Sequence, residues 1–275
     1  MPTAYLDYNI VATAAGSPPG RHTASWKAAI DALSGAGYRF ALSAWHAYEL
    51  AKSNNQEHVE SCCEFIEEIK PLWLSNSVFI KRDEIARFLN HANGKINYPA
   101  RAFNPSIAQM WTTYGGIIKI GETFRNTVHE LRNAPGALAQ ISNVAAETPD
   151  AIQAGRDALA DGRYKATQHL VDQEYFSSLI NPPNPKALGY VLDHLKEVLS
   201  TCPTISLEDS LTRIRVRDQF RAKDSDAADL QHALAGLAYC DLFVTDDKML
   251  AEHCRQAVSM SHLSCRVYRN PTSIF

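Results

Sequence analysis

No stretch of the 275-residue sequence is long and apolar enough to span a bilayer. The opening "MPTAYLDYNI" lacks the basic and apolar regions of a secretory leader and reads instead as a strand. A membrane role is therefore not expected. Charge of one sign is also scarce: the formal net charge is -3, so no basic field invites tight, nonspecific duplex binding. Only six cysteines occur (Cys62, Cys63, Cys202, Cys240, Cys254 and Cys265), scattered and without the spacing of a disulfide framework. That usage points to a reducing, cytoplasmic compartment. Internal repeats, low-complexity tracts and a placeable Ser-His-Asp or Cys-His arrangement are likewise missing, which argues against a side-chain nucleophile.

What is present is an alternation of short apolar runs and helical periods. Residues 3–6 read as a strand, and 24–35 carry Trp26, Ile30 and Leu33 at helical spacing. Tyr38 to Leu42 form a second strand, after which Ser43 is a suitable N-cap for a helix holding Trp45, Tyr48, Glu49 and Leu50. A further helix spans about 56–69. The rhythm then stops. From about 80 to 205 the signals are helical or loop-like, as in "RDEIARFLNHA", "ETFRNTVHELRN" and "PKALGYVLDHLKEVLS". Alternation resumes with a helix at 226–239, a strand at 241–245, a helix at 247–257 and a strand at 265–268. Strand–helix alternation implies an α/β chain with a parallel, doubly wound sheet and helices on both faces. The expected division is a discontinuous core of 1–75 and 205–275, with 76–204 as a protruding helical insertion.

In such sheets ligands gather at the carboxyl ends of the strands. Asp7 follows the first strand, and Asp246 and Asp247 follow the penultimate one in "CDLFVTDDKML". Glu49 lies on the helix after strand two, while Asp226 and Asp229 open the helix before the penultimate strand. Clustered carboxylates repel one another, and a divalent cation removes that cost. All-oxygen donors favour Mg²⁺ or Mn²⁺ over zinc.

The segments "YLDYNIV", "LSAWHAYELAKS" and "DAADLQHALAGLAYCDLFVTDDKML" together resemble the signatures of PIN-domain nucleases. The resemblance covers about 1–75 and 215–275. It implies a Rossmann-like, PIN-like fold and a metal-dependent endoribonuclease whose four acids are Asp7, Glu49, Asp229 and Asp247. It also implies accessory roles for Asn9 and Thr245. The acids would hold Mg²⁺ or Mn²⁺ and hydrolyse phosphodiesters of single-stranded or structured RNA. The same likeness suggests a toxin-like role with an antitoxin-like protein partner, and the insertion could supply a homodimer interface. In compact PIN domains the second and third acids lie much closer together than Glu49 and Asp229 do, so the insertion has no counterpart there.

Simpler roles compete at several positions. Asp226 fits helix capping better than chemistry, whereas Asp229 lies beside the small residues Ala233 and Gly236, which would let a ligand approach. Of the adjacent pair, Asp246 is expected to be the cap and Asp247 the site carboxylate. Asp7 has no evident capping role in the sequence. Arg213, Arg215, Arg217 and Arg221 could hold RNA phosphates, or form a solvated face paired with Glu208 and Asp218. His232 is expected to be packed or hydrogen-bonded. His253, Cys254, His262 and Cys265 do not have a recognised zinc spacing. The rival functions are a catalytically inactive PIN-like module that binds RNA or protein, and a haloacid-dehalogenase-type phosphatase. The latter needs a second Asp where the chain has Asn9.

Overall fold

The computed structural model describes residues 1–16, 20–95, 98–114, 122–163, 171–217 and 225–275. In chain order its elements are β1 Thr3–Leu6, α1 Tyr8–Ala15, α2 Thr23–Gly35, β2 Arg39–Leu42, α3 Ala44–Lys52, α4 Gln56–Ile69, β3 Leu72–Leu74 and α5 Ser77–Ala92. They continue with β4 Phe103–Asn104, α6 Ile107–Thr112, α7 Phe124–Asn133, α8 Pro135–Ala160, α9 Gln173–Leu179, α10 Pro185–Asp193 and α11 Leu195–Thr201. The remainder is α12 Pro203–Arg217, α13 Ser225–Tyr239, β5 Leu242–Val244, α14 Lys248–Met260 and β6 Arg266–Tyr268.

The strands form one six-stranded sheet in the order β4-β3-β2-β1-β5-β6. Every pairing is parallel except β3 with β4. Side chains alternate across a strand. Ala4, Leu6, Leu42 and Val244 therefore enter one core, with Ile10, Ile30, Val59 and Ile66 of the overlying helices. Tyr5, Ala41 and Phe243 enter the opposite core, with Leu211, Leu234 and Leu250. The chain is thus α/β with helices on both faces. Helix α4 shows why its segment is helical: Val59, Cys62, Cys63 and Ile66 recur at helical spacing and all are buried.

The described residues of 76–204 are mostly helical, and part of the segment packs into the core of the sheet. It adds strand β4 to the sheet edge, through pairing of Leu74 with Phe103. Helix α7 packs on α3 and α4, and α8 packs on α12 and α13. Phe124 of α7 stacks on Trp73 of β3 with ring centroids 5.3 Å apart. The reason is apolar burial: Ile107, Met110, Trp111, Phe124, Val128 and Leu131 belong to the same core as β1 and β2. A third cluster, including Ile85, Phe176, Val191 and Val198, joins α5 to α9, α10 and α11. Among the described residues no helix is long and apolar enough to cross a membrane.

Candidate functional site

Strand β1 is central, and the chain leaves it in opposite directions: to β2 and β3 on one side, and to β5 and β6 on the other. The gap between β1 and β5 at their carboxyl ends is the switch point at which open α/β sheets form a crevice. Asp7 and Thr245 flank it. The Asp7 N–H donates to the Val244 carbonyl at 2.9 Å, which continues the ladder to the strand ends. Asp7 is 3% exposed. Its Oδ2 accepts the Thr245 hydroxyl at 2.7 Å and its Oδ1 accepts the Tyr8 N–H at 2.8 Å. Asp7 is therefore also the N-cap of α1, a role not evident from the sequence, because α1 itself was not expected. Burial pushes its carboxyl up from the ordinary range; His232 and the Thr245 bond oppose this, and Glu49 adds to it.

Asp229 lies in the second turn of α13 and is half-buried. Its carboxyl is pushed up to about 7 by burial first and then by the charge of Asp7, with Asp247 adding to this and His232 and Arg215 opposing it. The charges of Asp7, after β1, and Asp247, at the start of α14, thus both act on Asp229 of α13. Glu49 on α3 is half-buried, with its Oε2 3.8 Å from His232 Nε2.

The cap expected of Asp246 falls instead on Asp247, and both side chains are exposed. Asp247 is the N-cap of α14: its backbone is extended and its Oδ1 accepts the Leu250 N–H at 2.7 Å. Asp246 is exposed in the bend before it. The cap falls one residue later because the Asp247 N–H turns back to Thr245 Oγ1 at 3.2 Å. Asn9 is exposed on α1. The side chain of Asp226 lies outside the described residues.

Among the described residues the arginines do not form an open phosphate-binding face. Helix α12, which carries Arg213, Arg215 and Arg217, packs on α5, α8, α13 and α14. Arg215 is buried and its charge acts on Asp229. Arg213 is half-buried and pairs with Asp209 at 3.5 Å. Arg217 is exposed, and Arg221 lies outside the described residues. Ala233 is buried, and Gly236 is small for a packing reason. A side chain at Gly236 would meet Tyr5 Cγ at 2.9 Å and Phe243 Cδ2 at 3.0 Å.

A buried polar cluster beneath the acids was not expected. The Tyr5 hydroxyl bonds His232 Nδ1 in a very short contact and also meets Ser43 Oγ at 3.0 Å. His46 Nε2–H donates to the Leu6 carbonyl at 2.8 Å, leaving Nδ1 to accept the Ser43 N–H at 3.2 Å. Burial, and then the charge of His232, hold His46 well below its ordinary pKa, so it is neutral. The His46 and His232 rings meet edge-on, 4.9 Å apart. His232 is shifted the other way. Burial disfavours its charge, but Glu49, Asp7 and Asp229 together outweigh burial and raise its pKa. The available sequence signal was a histidine at the third position of an otherwise apolar helix start, in "SAWHAY".

Asp7, Glu49, Asp229 and Asp247 carry oxygen donors, the atom type that hard divalent cations take. As they stand, no three His, Cys, Asp or Glu side chains among the described residues form a group that could hold a metal ion. Cys254 and Cys265 are buried thiols, with pKa values pushed up by burial. No family model, curated protein or solved structure matches this chain.

Proposed function

We propose that this protein is a PIN-like, Mg²⁺- or Mn²⁺-dependent endoribonuclease with Asp7, Glu49, Asp229 and Asp247 as its acidic centre. The observation that supports it best is the raised pKa of Asp229 at the switch point of the sheet, caused first by burial, with the charges of Asp7 and Asp247 adding to it. A polyanionic substrate would be repelled from such a place unless a cation intervened. When bound, the cation would lower the pKa of a water and offset charge developing on the phosphate. Thr245 holds Asp7 Oδ2 in place, and the α1 N-terminus holds Oδ1. Asp247 is fixed by its cap bond to Leu250. These contacts orient the carboxylates before substrate arrives. A toxin-like role, with an antitoxin-like partner covering this edge or a homodimer, belongs to the same reading.

The test is incubation with labelled single-stranded RNA and tRNA, plus Mn²⁺ or EDTA, beside Asp7→Asn. Cleavage that requires Mn²⁺ and disappears in the variant supports the reading. Cleavage that survives both EDTA and the substitution overturns it. A second reading, an inactive module that binds RNA or protein, is favoured by the caps that Asp7 and Asp247 form, since caps stabilise helices without any chemistry. Binding without cleavage would select it.

A further inference from the structure

With the α12 arginines packed away, substrate phosphates need another cationic partner, and one lies at the same edge of the sheet. Arg101 stands just before β4, where the Ala102 carbonyl accepts the Ser75 N–H at 2.8 Å, one residue past the carboxyl end of β3. Helix α5 starts two residues after Ser75. Its Ser77 hydroxyl donates to Gln231 Oε1 at 2.6 Å, two positions after Asp229 on α13. The start of α5 is therefore tied to the helix that carries a site carboxylate.

Between α5 and α9 is a cleft of about 340 Å³. Clefts that take small ligands have volumes of about 300–1,000 Å³. Its apolar lining includes Ile85, Leu89, Leu179 and Ile180. Its charged lining is Arg82, Asp83 and Arg101, two cations against one anion. Asp83 is itself shared: Arg101 Nε and Nη2 donate to its Oδ1 at 2.7 and 2.6 Å, and Arg87 Nε approaches Oδ2 at 3.6 Å. Arg82 Nη2 donates to the Ser178 carbonyl at 3.2 Å, and no carboxylate among the described residues pairs with it. Positive charge is left over, on the flank of a centre that repels polyanions.

The Arg101 side chain remains 60% exposed despite its bonds to Asp83. Its guanidinium carbon lies 5.1 Å from the centre of the Phe79 ring and 5.5 Å from that of Tyr98. Asp83 thus fixes a flat cation over two half-buried rings and leaves it open to solvent. Neutralising Asp83 accounts for the ion pair, but not for the exposed plane, the rings or the adjoining cleft. Unstacked bases bind to aromatic rings and arginine planes, with their phosphates on neighbouring cations.

We propose that Phe79, Arg82, Tyr98 and Arg101 form a subsite for one nucleotide of single-stranded RNA, the base on the rings and the phosphate on the arginines. The inference rests on the ribonuclease reading above, and the experiment separates the two.

The full wild-type chain in EDTA is titrated, by fluorescence anisotropy, into a labelled single-stranded RNA of about twelve nucleotides. Phe79→Ala should raise Kd about tenfold, and Arg101→Lys, which keeps a charge beside Asp83 but loses the plane, should do the same. Arg82→Ala should weaken binding and reduce its salt dependence. Photocrosslinking of thiouridine-substituted RNA to the wild type should label the peptides carrying Phe79 or Tyr98, a readout that needs no variant to fold. Unchanged affinity in folded Phe79→Ala and Arg101→Lys overturns the subsite, as do crosslinks confined to other segments. A duplex bound as well as the single strand overturns it too, as does uridine monophosphate bound more tightly than the oligomer. Mn²⁺-dependent cleavage with unchanged KM in both variants overturns the subsite and leaves the nuclease standing. Binding weakened in both variants, with no cleavage by the wild type, supports the subsite and sinks the nuclease.

Discussion

The Thr245 hydroxyl donates to Asp7 Oδ2 across 2.7 Å, tying the ends of β5 and β1 together across 238 positions of sequence. Both residues are buried, so the bond has no water to replace it. Thr245→Val should cost about 1–3 kcal/mol in urea unfolding, because it leaves a buried carboxylate oxygen short of a donor. Thr245→Ser should restore most of the loss. Equal stability of the two variants would remove the importance given to the hydroxyl.

Asp7→Asn should separate stability from activity. Asn can still accept the Tyr8 N–H and cap α1, and it carries no buried charge. Thermal unfolding of the metal-free variant should therefore occur at or above the wild-type temperature. Mn²⁺-dependent RNA cleavage should drop by about 100-fold or more, as expected when a metal-anchoring charge is lost. A variant that is unfolded by circular dichroism would contradict the capping argument.

Asp229 predicts a pH dependence. Its folded pKa is raised from 3.8 to about 7. The folded state therefore keeps a proton that the unfolded chain has released, so its contribution is favourable below about pH 4 and is lost as pH rises toward 7. The raised pKa of His232 acts in the same direction, its contribution fading as pH rises through the folded value. In EDTA-treated protein, melting temperatures of wild type and Asp229→Asn should diverge between pH 4 and 7, with the variant losing less. Parallel curves would rule out the coupling.

The two aspartates before α14 can be told apart. Asp247→Ala removes the bond to the Leu250 N–H and should cost about 0.5–2 kcal/mol, whereas Asp246→Ala should stay within about 0.5 kcal/mol of wild type. Asp247→Ser keeps a cap and removes the charge, so it should preserve stability while weakening cleavage.

Gly236→Ala should destabilise the fold by about 1–3 kcal/mol, since the added methyl enters a space bounded by the Tyr5 and Phe243 rings. Those rings stack at 5.3 Å and cannot both withdraw. Unchanged denaturation midpoints would show that α13 can shift away.

Where the sequence was legible, one physical signal repeated often enough to stand out. Helix α4 spans Gln56–Ile69, as expected from its apolar period, and β1 and β5 are apolar runs closed by polar residues. Strands β3 and β4 contain three and two residues, too few to show alternation. Helix α1 was hidden because its cap, Asp7, was read only as a site carboxylate. At the centre, Asp7 and Thr245 were legible as strand ends. The Tyr5–Ser43–His232 cluster was not, because it depends on sheet order and on which face of β1 carries Tyr5. Arg213 and Arg215 looked like a surface because a charge run does not reveal that its helix is packed against α5, α8, α11, α13 and α14.

The central place of β1 has a consequence for the order of synthesis. Its neighbour β2 follows within forty-two residues, but its other neighbour, β5, begins only at Leu242. A nascent chain can thus bring Asp7 and Glu49 into place long before Asp229, Thr245 and Asp247 exist. Until then one edge of β1 lacks its partner strand. Ribosomes stalled before residue 229 would carry Asp7 and Glu49 but neither Asp229, Asp247 nor the Thr245 clasp, so the carboxyl end of β1 is completed late.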